Sequence, residues 1–162
     1  MNPVVRKALK KDTRAILDIY NYFIENSYAA YSDTPNGKGY VKRVFEQTKR
    51  YPFYVAEVEG KVVGYGFARP FNALSSCRKS SLLTYFILPE YTGKGIGGKI
   101  FDRITDDLKR IEVDNLIVNI SSLNEQSLNF HRKMGFVECG CFKCVGVKHS
   151  KNFDMIWMQK FV

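Results

Sequence analysis

An apolar segment that runs directly into a glycine-rich turn constrains the fold more than any other part of this chain. Residues 82–88 carry almost no polar side chains, and residues 91–98 read YTGKGIGG. Isoleucine and leucine then recur at helical spacing from Ile96 to Ile111. A buried strand, a turn whose glycines let backbone N–H groups converge, and a helix N-terminus together form a cradle for an anion. The sequence therefore predicts that this turn binds a phosphorylated ligand.

Alternating strand and helix patterns on both sides of that junction predict an α/β protein with a mixed sheet. Strands are predicted at residues 4–9, 53–58, 61–68, 82–88, 115–120, 136–147 and 153–158. Helices are predicted after Asp12, which is placed to cap the first of them, then at 39–49, after the glycine turn, and from Asn124 to Met134. No repeat, low-complexity segment or linker interrupts the chain, so residues 1–162 are expected to form a single domain.

The charge balance favours an anionic ligand. Lysine and arginine number 25 against 16 acidic residues, a net charge of +9. The basic residues are scattered, and no helix-turn-helix, ribonucleoprotein motif or zinc spacing accompanies them. A nucleic-acid-binding module is therefore a distant alternative, and no nucleic-acid partner is expected.

Neither a targeting segment nor a metal site is expected from the sequence. The N-terminal residues MNPVVRKALKK hold charges without a long apolar run, and residues 82–88 are too few to cross a bilayer, so a cytoplasmic protein without membrane contact is expected. Residues 139–144 read CGCFKC, a C-x-C-x-x-C spacing. This spacing has no second ligand pair, so no metal site is expected and the cysteines are predicted to be reduced.

Two further segments accompany the glycine turn: a buried strand at 115–120 and a helix that reads NEQSLNFHRKMGF. The three segments together resemble the GNAT superfamily of acetyl-CoA-dependent N-acetyltransferases, over nearly the whole chain. Within it, the segments IYNYFIENS, RYPFYVAEVEGKVVGYGFARPF and GVKHSKNFDMIWMQK resemble the phosphinothricin-acetyltransferase-like branch. The resemblance implies a mixed, mostly antiparallel central sheet with flanking helices and a splayed strand pair that holds the cofactor.

The resemblance also implies which residues contact acetyl-CoA, the expected cosubstrate. Backbone groups of the central strand would hold the pantetheine arm, the glycine turn would hold the pyrophosphate, and the fourth helix would contact the arm. The residues are Tyr85, Phe86, Ile87, Thr92, Gly93, Lys94, Gly95, Ile96, Gly97, Gly98, Asn124 and Ser127.

His131 is the predicted catalytic residue. The resemblance places at this position the group that protonates the departing thiolate of coenzyme A, and an imidazole with an ordinary pKa of about 6.5 gives or relays a proton near neutral pH. Asn124, Ser127 and His131 are spaced i, i+3 and i+7, so they lie near one helical face.

Four positions depart from the pattern of the family. Two of them are Leu74 and Cys77, which stand where the branch has an arginine and an aromatic residue. Thr92 stands where the superfamily has glutamine or arginine, although its hydroxyl and N–H can still meet a phosphate. Leu82 stands where the branch has a glutamate thought to act as the base. Activity on phosphinothricin or methionine sulfoximine is therefore not expected. The base must instead be a water chain, His131 itself or another acidic group.

The predicted activity is transfer of an acetyl group to the primary amine of a small molecule, such as an amino acid or an analogue. The acceptor would meet Tyr31, Arg69, Phe71 and Lys148, of which the two cations could hold a carboxylate. The alternatives are acetylation of a protein N-terminus or lysine, and a non-catalytic sensor of acyl-CoA, which the missing glutamate motivates. The resemblance also implies a homodimer.

Overall fold

The computed structural model describes residues 2–162, and a seven-stranded sheet organises them. The strands are β1 (Val4–Lys7), β2 (Phe53–Val58), β3 (Lys61–Pro70), β4 (Ser80–Ile87), β5 (Asn115–Ser121), β6 (Val137–Lys148) and β7 (Lys151–Phe161). The helices are α1 (Thr13–Asn26), α2 (Lys38–Gln47), α3 (Ile96–Arg110) and α4 (Glu125–Lys133). The sheet order is β1-β2-β3-β4-β5-β7-β6, and only the β4–β5 pair is parallel. This confirms the predicted mixed, mostly antiparallel sheet.

Two apolar cores cover opposite faces of the sheet, which explains why residues 82–88 lack a polar face. One core contains α3 and α4 side chains, such as Ile100 and Leu128, and the other contains α1 and α2 side chains, such as Ile16 and Val41. Successive residues of a strand point to opposite faces. Tyr85 accordingly packs on the first core and Phe86 belongs to the second.

The parallel strands β4 and β5 separate after a short contact. Ser80–Leu82 pair with Asn115–Ile117, whereas the rest of β5 pairs only with β7. The second half of β4 thus leaves an open cleft beside it. This is the splayed strand pair that the resemblance to the GNAT superfamily implies.

The predicted cap of α1 is only half right. The helix begins directly after Asp12, but the Asp12 carboxylate makes no capping bond to it. Instead it accepts hydrogen bonds from the Arg6 guanidinium at 2.8 Å and from the Leu9 N–H at 2.8 Å. The Arg6 partner, on β1, could not be read from local sequence. No helix of residues 2–162 is both long and apolar enough to cross a membrane.

Candidate active site

The β3–β4 register determines which backbone groups of β4 face the cleft. The Leu88 N–H donates to the Val63 carbonyl, and the Phe71 N–H donates to the Ser80 carbonyl. Hydrogen-bonded pairs alternate along an antiparallel ladder. The backbone of Phe86 therefore bonds to β3, whereas the N–H and C=O groups of Tyr85 and Ile87 face the cleft. Of the three residues predicted to hold the pantetheine arm through their backbones, Tyr85 and Ile87 have groups free for it, whereas those of Phe86 are already engaged with β3.

The glycine turn presents a run of free backbone donors. Among residues 2–162, no acceptor receives a hydrogen bond from the N–H groups of residues 93–98. Gly93 and Gly95 have φ of +70° and +78°, the left-handed region that glycine adopts without strain. A Cβ at Gly93, Gly95 or Gly98 would meet no atom within 4 Å, so the space beside these three residues is open, whereas a Cβ at Gly97 would lie 2.9 Å from the Phe130 ring. The N-terminus of α3 adds its positive dipole end to them.

The side chains of Thr92 and Lys94, in contrast, donate to backbone carbonyls before the turn. Both the N–H and the hydroxyl of Thr92 donate to the Pro89 carbonyl, at 3.1 Å and 2.8 Å. The expectation that Thr92 offers these donors to a phosphate is therefore not met in this conformation. The Lys94 ammonium donates to the Glu90 carbonyl at 2.7 Å and lies 5.5 Å from the Tyr91 ring centroid, at the rim of the turn.

A cavity of about 530 Å³ connects the glycine turn with the open side of β4. Its walls include the turn glycines together with Tyr85, Ile87 and the α4 residues Asn124 and Ser127. An acetyl-CoA molecule requires donors for its pyrophosphate and an unpaired strand edge for its amide-bearing arm. The free N–H groups, the open space above the glycines and the cleft-facing backbone of β4 all fit that molecule.

Helix α4 carries the three predicted functional residues on one face, and all three line this cavity. The Asn124 side chain accepts a hydrogen bond from the Ser127 N–H at 3.2 Å, so the predicted cap is confirmed. The helix ends in the left-handed Gly135, and the Phe136 N–H closes back onto the His131 carbonyl at 3.0 Å. Both ends of α4 are therefore fixed, which fixes His131 relative to the cleft.

His131 is held as a neutral imidazole. Its side chain is 4% exposed, and the rings of Phe130, Phe136 and Tyr85 lie 5.0, 5.1 and 5.7 Å from it. Burial lowers the pKa of His131 to about 4. Nδ1 lies 2.8 Å from the Ser127 carbonyl, which can only accept, so Nδ1 carries the proton. Nε2 is buried with no partner among residues 2–162, and it is left as an acceptor.

This burial predicts a specific loss of stability in acid. Between the ordinary histidine pKa and about 4, the unfolded chain binds a proton at His131 that the folded chain does not. The free energy of unfolding should therefore fall as the pH drops below about 6.5, by roughly 2 kcal/mol at pH 5. Urea unfolding at pH 7 and pH 5 would show a smaller fall for His131→Gln than for the wild type. His149→Gln, which removes an exposed histidine, should keep the wild-type fall; an equal fall in all three proteins would contradict the prediction.

A second cavity, of about 520 Å³, lies on the α1–α2 side of β4. Tyr85, Phe86, Asn124, Ser127 and His131 line both cavities, so the two meet at the imidazole. No aspartate or glutamate lines this second cavity, and Leu82 forms part of its wall. The carboxylate base that the branch has at position 82 therefore has no substitute in this wall, and His131 is its only histidine.

The four predicted acceptor-binding residues divide into two pairs. Tyr31 and Arg69 line the second cavity. Phe71 lies outside it, edge-on to Trp157 at 6.4 Å. Lys148 also lies outside it: its buried ammonium donates to the Ala30 carbonyl at 2.6 Å. The expectation that Lys148 holds a carboxylate is wrong, because this ammonium ties the loop after α1 to the end of β6.

Sequence reasoning missed the aromatic and polar residues that α1, α2 and β5 contribute to this cavity. Tyr20 and Tyr40 stack with ring centroids 3.8 Å apart, and Gln47, Asn119 and Ser121 complete the wall. In the sequence, the two tyrosines have the helical spacing of ordinary core positions. Only the packing of α1 and α2 over the separating strands places them around an opening.

The cysteines of the C-x-C-x-x-C segment lie on β6, with Cys139, Cys141 and Cys144 all exposed. In residues 2–162, no three histidine, cysteine, aspartate or glutamate side chains come together in a way that could hold a metal ion.

Comparison with known proteins agrees with this geometry. The acetyltransferase (GNAT) domain model matches residues 5–157. An L-methionine sulfoximine/L-methionine sulfone acetyltransferase of Salmonella typhimurium is 29% identical over 159 residues, which cover 96% of this chain and 92% of that protein. The structure of a phosphinothricin acetyltransferase from Sinorhizobium meliloti in complex with AcCoA has a TM-score of 0.93 and 30% identity, covering 100% of this chain and 89% of that one.

A third similar structure carries a different kind of name. A ribosomal-protein-alanine N-acetyltransferase from Brucella melitensis has a TM-score of 0.90 and 34% identity, covering 98% of this chain and 99% of that one. The fold, the free donors of the glycine turn and the family match over residues 5–157 lead to one conclusion: this chain belongs to the GNAT family of acetyltransferases, which use acetyl-CoA.

Proposed function

We propose that this protein transfers an acetyl group from acetyl-CoA to the primary amine of a small molecule, an amino acid or an analogue of one. The observation that carries the proposal is the meeting of two cavities at His131. One cavity offers free backbone donors for a phosphorylated carrier, and the other is lined by side chains on the α1–α2 face of the sheet. An amine in the second cavity would face a thioester in the first.

The backbone supplies the binding groups for the donor. When bound, acetyl-CoA supplies the activated acetyl group as a thioester. The N–H groups of residues 93–98 hold its pyrophosphate, and Asn124 and Ser127 border its arm. The Tyr85 and Ile87 backbones pair with the arm in the cleft, where one of their N–H groups polarises the thioester carbonyl.

We assign the proton transfers to His131. Because its imidazole is neutral, Nε2 accepts a proton from the attacking amine before it gives one to the departing thiolate. The Ser127 carbonyl, 2.8 Å from Nδ1, orients the ring and favours the protonated form. In this order of transfers His131 acts first as the base, a role that Leu82 cannot perform, and then as the acid predicted from the sequence. Much of the rate comes from holding the amine beside the thioester.

The relatives support a small acceptor. Their names include L-methionine sulfoximine, L-methionine sulfone and phosphinothricin, all amino-acid analogues. The name of the Brucella melitensis protein favours a second candidate, a protein N-terminus. The missing glutamate at position 82 keeps a third candidate, a non-catalytic acyl-CoA sensor.

A panel of amines separates the three candidates. Release of free thiol from acetyl-CoA would be followed with amino acids, with their analogues, and with peptides that begin with alanine. We expect turnover with free amino acids well above turnover with peptides. Faster turnover with the peptides would favour the protein acceptor, and thiol release that never exceeds background despite tight acetyl-CoA binding would favour the sensor.

We further propose that the protein works as a homodimer. Strand β6 lies at the edge of the sheet with β7 as its neighbour, and Val137, Phe142, Val145 and Val147 on it are each more than half exposed. Natural proteins generally cover edge strands of this length and apolarity. Light scattering on a size-exclusion column is expected to give twice the mass of the chain, and the mass of a single chain would contradict a dimer.

We also propose that the protein resides in the cytoplasm. All four cysteines are free, three of them exposed, as suits a reducing compartment. Fractionation of cells that express the full chain would test this location.

A further inference from the structure

We infer that the acceptor is an amino acid with one carboxylate and an uncharged side chain, that Arg69 binds this carboxylate, and that acceptors with a second anionic group are rejected. The inference rests on the proposed function and specifies the substrate class of the same site. The inferred substrate differs from phosphinothricin, which the names of several relatives contain, because phosphinothricin carries a phosphinate in addition to its carboxylate.

A single charged side chain lines the acceptor cavity. Arg69 is the only lysine or arginine in its wall, and no aspartate or glutamate accompanies it. His131 is neutral because burial lowers its pKa to about 4. Lys148 does not line the cavity, because its ammonium donates to the Ala30 carbonyl of the loop after α1. A bound ligand therefore meets a single positive charge.

That charge is available to a ligand. In the part of the chain that the structure describes, no carboxylate lies within salt-bridge distance of Arg69, and its guanidinium makes no hydrogen bond to protein. Its directly opposite partner across β3–β4 is Leu82. Side chains of opposite residues are neighbours on one face of a sheet. A glutamate at position 82 would lie beside the guanidinium and compete for it, whereas leucine leaves the guanidinium free to bind a carboxylate with both of its arms.

The remaining wall suits an uncharged side chain. Tyr20 and Tyr40 present stacked rings, and Phe67 and Phe86 add apolar surface. Two of the tyrosine hydroxyls are engaged with protein groups: that of Tyr40 lies 3.1 Å from the Tyr65 hydroxyl, and that of Tyr31 donates to the Asn119 carbonyl at 3.3 Å. A second anion would find no second cation in this wall to offset the cost of binding it there.

The substrates themselves provide the first test, on the unaltered protein. We expect kcat/KM for L-methionine, L-leucine and L-methionine sulfone to exceed that for phosphinothricin and L-glutamate by about 100-fold. L-Methioninamide, which lacks the carboxylate, should also fall about 100-fold below L-methionine. Equal or faster turnover of phosphinothricin or methioninamide would overturn the inference.

Variants of Arg69 provide the second test. Arg69→Gln should lower kcat/KM for L-methionine about 100-fold and leave methioninamide nearly unchanged, and Arg69→Lys should lose about tenfold. Arg78→Gln, which removes an exposed arginine outside the cavity, should change neither value. An equal loss for L-methionine and methioninamide in Arg69→Gln would mean that Arg69 does not bind the carboxylate.

A gain of function completes the test. Gln47 is exposed, ends α2 and lines the cavity, so Gln47→Lys adds a second cation at a helix C-terminus, where a lysine is tolerated. It should raise kcat/KM for phosphinothricin about fivefold and leave L-leucine unchanged. No gain in the variant, with phosphinothricin already a good substrate of the wild type, would overturn the inference. Failure of every amine to release thiol would instead refute the proposed function, and this inference with it.

Discussion

Gly95→Glu is expected to abolish acetyl-CoA binding while leaving the fold intact. Gly95 is the N-cap residue of α3 and has a φ of +78°, and a Cβ there would meet no atom within 4 Å. A glutamate would place its carboxylate among the N–H groups that the pyrophosphate needs. Loss of those charge-assisted bonds should weaken binding by about 100-fold or more, as measured by calorimetry with acetyl-CoA and with coenzyme A.

Gly60→Glu is the matched control for this variant. Gly60 has a φ of +77°, a Cβ there also meets nothing within 4 Å, and it lies in the β2–β3 turn and lines neither cavity. Both substitutions therefore introduce the same charge and the same backbone strain. Wild-type heats for Gly60→Glu with none for Gly95→Glu would locate the carrier in the glycine turn, and equal heats for both variants would remove it from there.

His131→Ala should lower kcat by about 10²- to 10⁴-fold with acetyl-CoA affinity close to that of the wild type. The reason is that His131 lines both cavities and that its Nε2 has no hydrogen-bond partner among residues 2–162. His131→Gln keeps an amide that can donate to the Ser127 carbonyl, so it separates loss of the base from loss of packing. His149→Ala, which removes the other histidine of the chain, should retain activity.

The pH dependence of the wild type checks the same assignment independently. Because the folded protein holds the imidazole neutral, kcat/KM should rise with deprotonation of the acceptor amine and show no inflection near pH 6.5. An inflection near that value that disappears in His131→Gln would show that the imidazole is charged in the free enzyme, contrary to the order of proton transfers proposed above.

The fold could be predicted because its determinants are local. The apolar run of β4, the glycines that open α3 and the Asn124 cap of α4 each specify a conformation through neighbouring residues. The i, i+3, i+7 spacing likewise brings Asn124, Ser127 and His131 to one face, as the structure shows. The folded protein keeps these local conformations because the apolar faces of the same elements pack into the two cores.

The acceptor side could not be predicted as well, because its determinants are distant in sequence. Whether the Phe86 backbone faces the cleft depends on the register with β3. Lys148 resembles a ligand for an anion until the loop at Ala30, 118 positions earlier, is packed against it. The protonation state of His131 likewise depends on three aromatic rings, two of them close to it in sequence and Tyr85 contributed by β4.

Strand β7 follows β6 in the chain yet lies between β5 and β6 in the sheet. β6 therefore has a neighbour in the sheet only once β7 has inserted between it and β5, and β5 meets β4 through only three residue pairs. Closure of this half of the sheet thus depends on a single insertion, which pairs β5 and β6 at the same time.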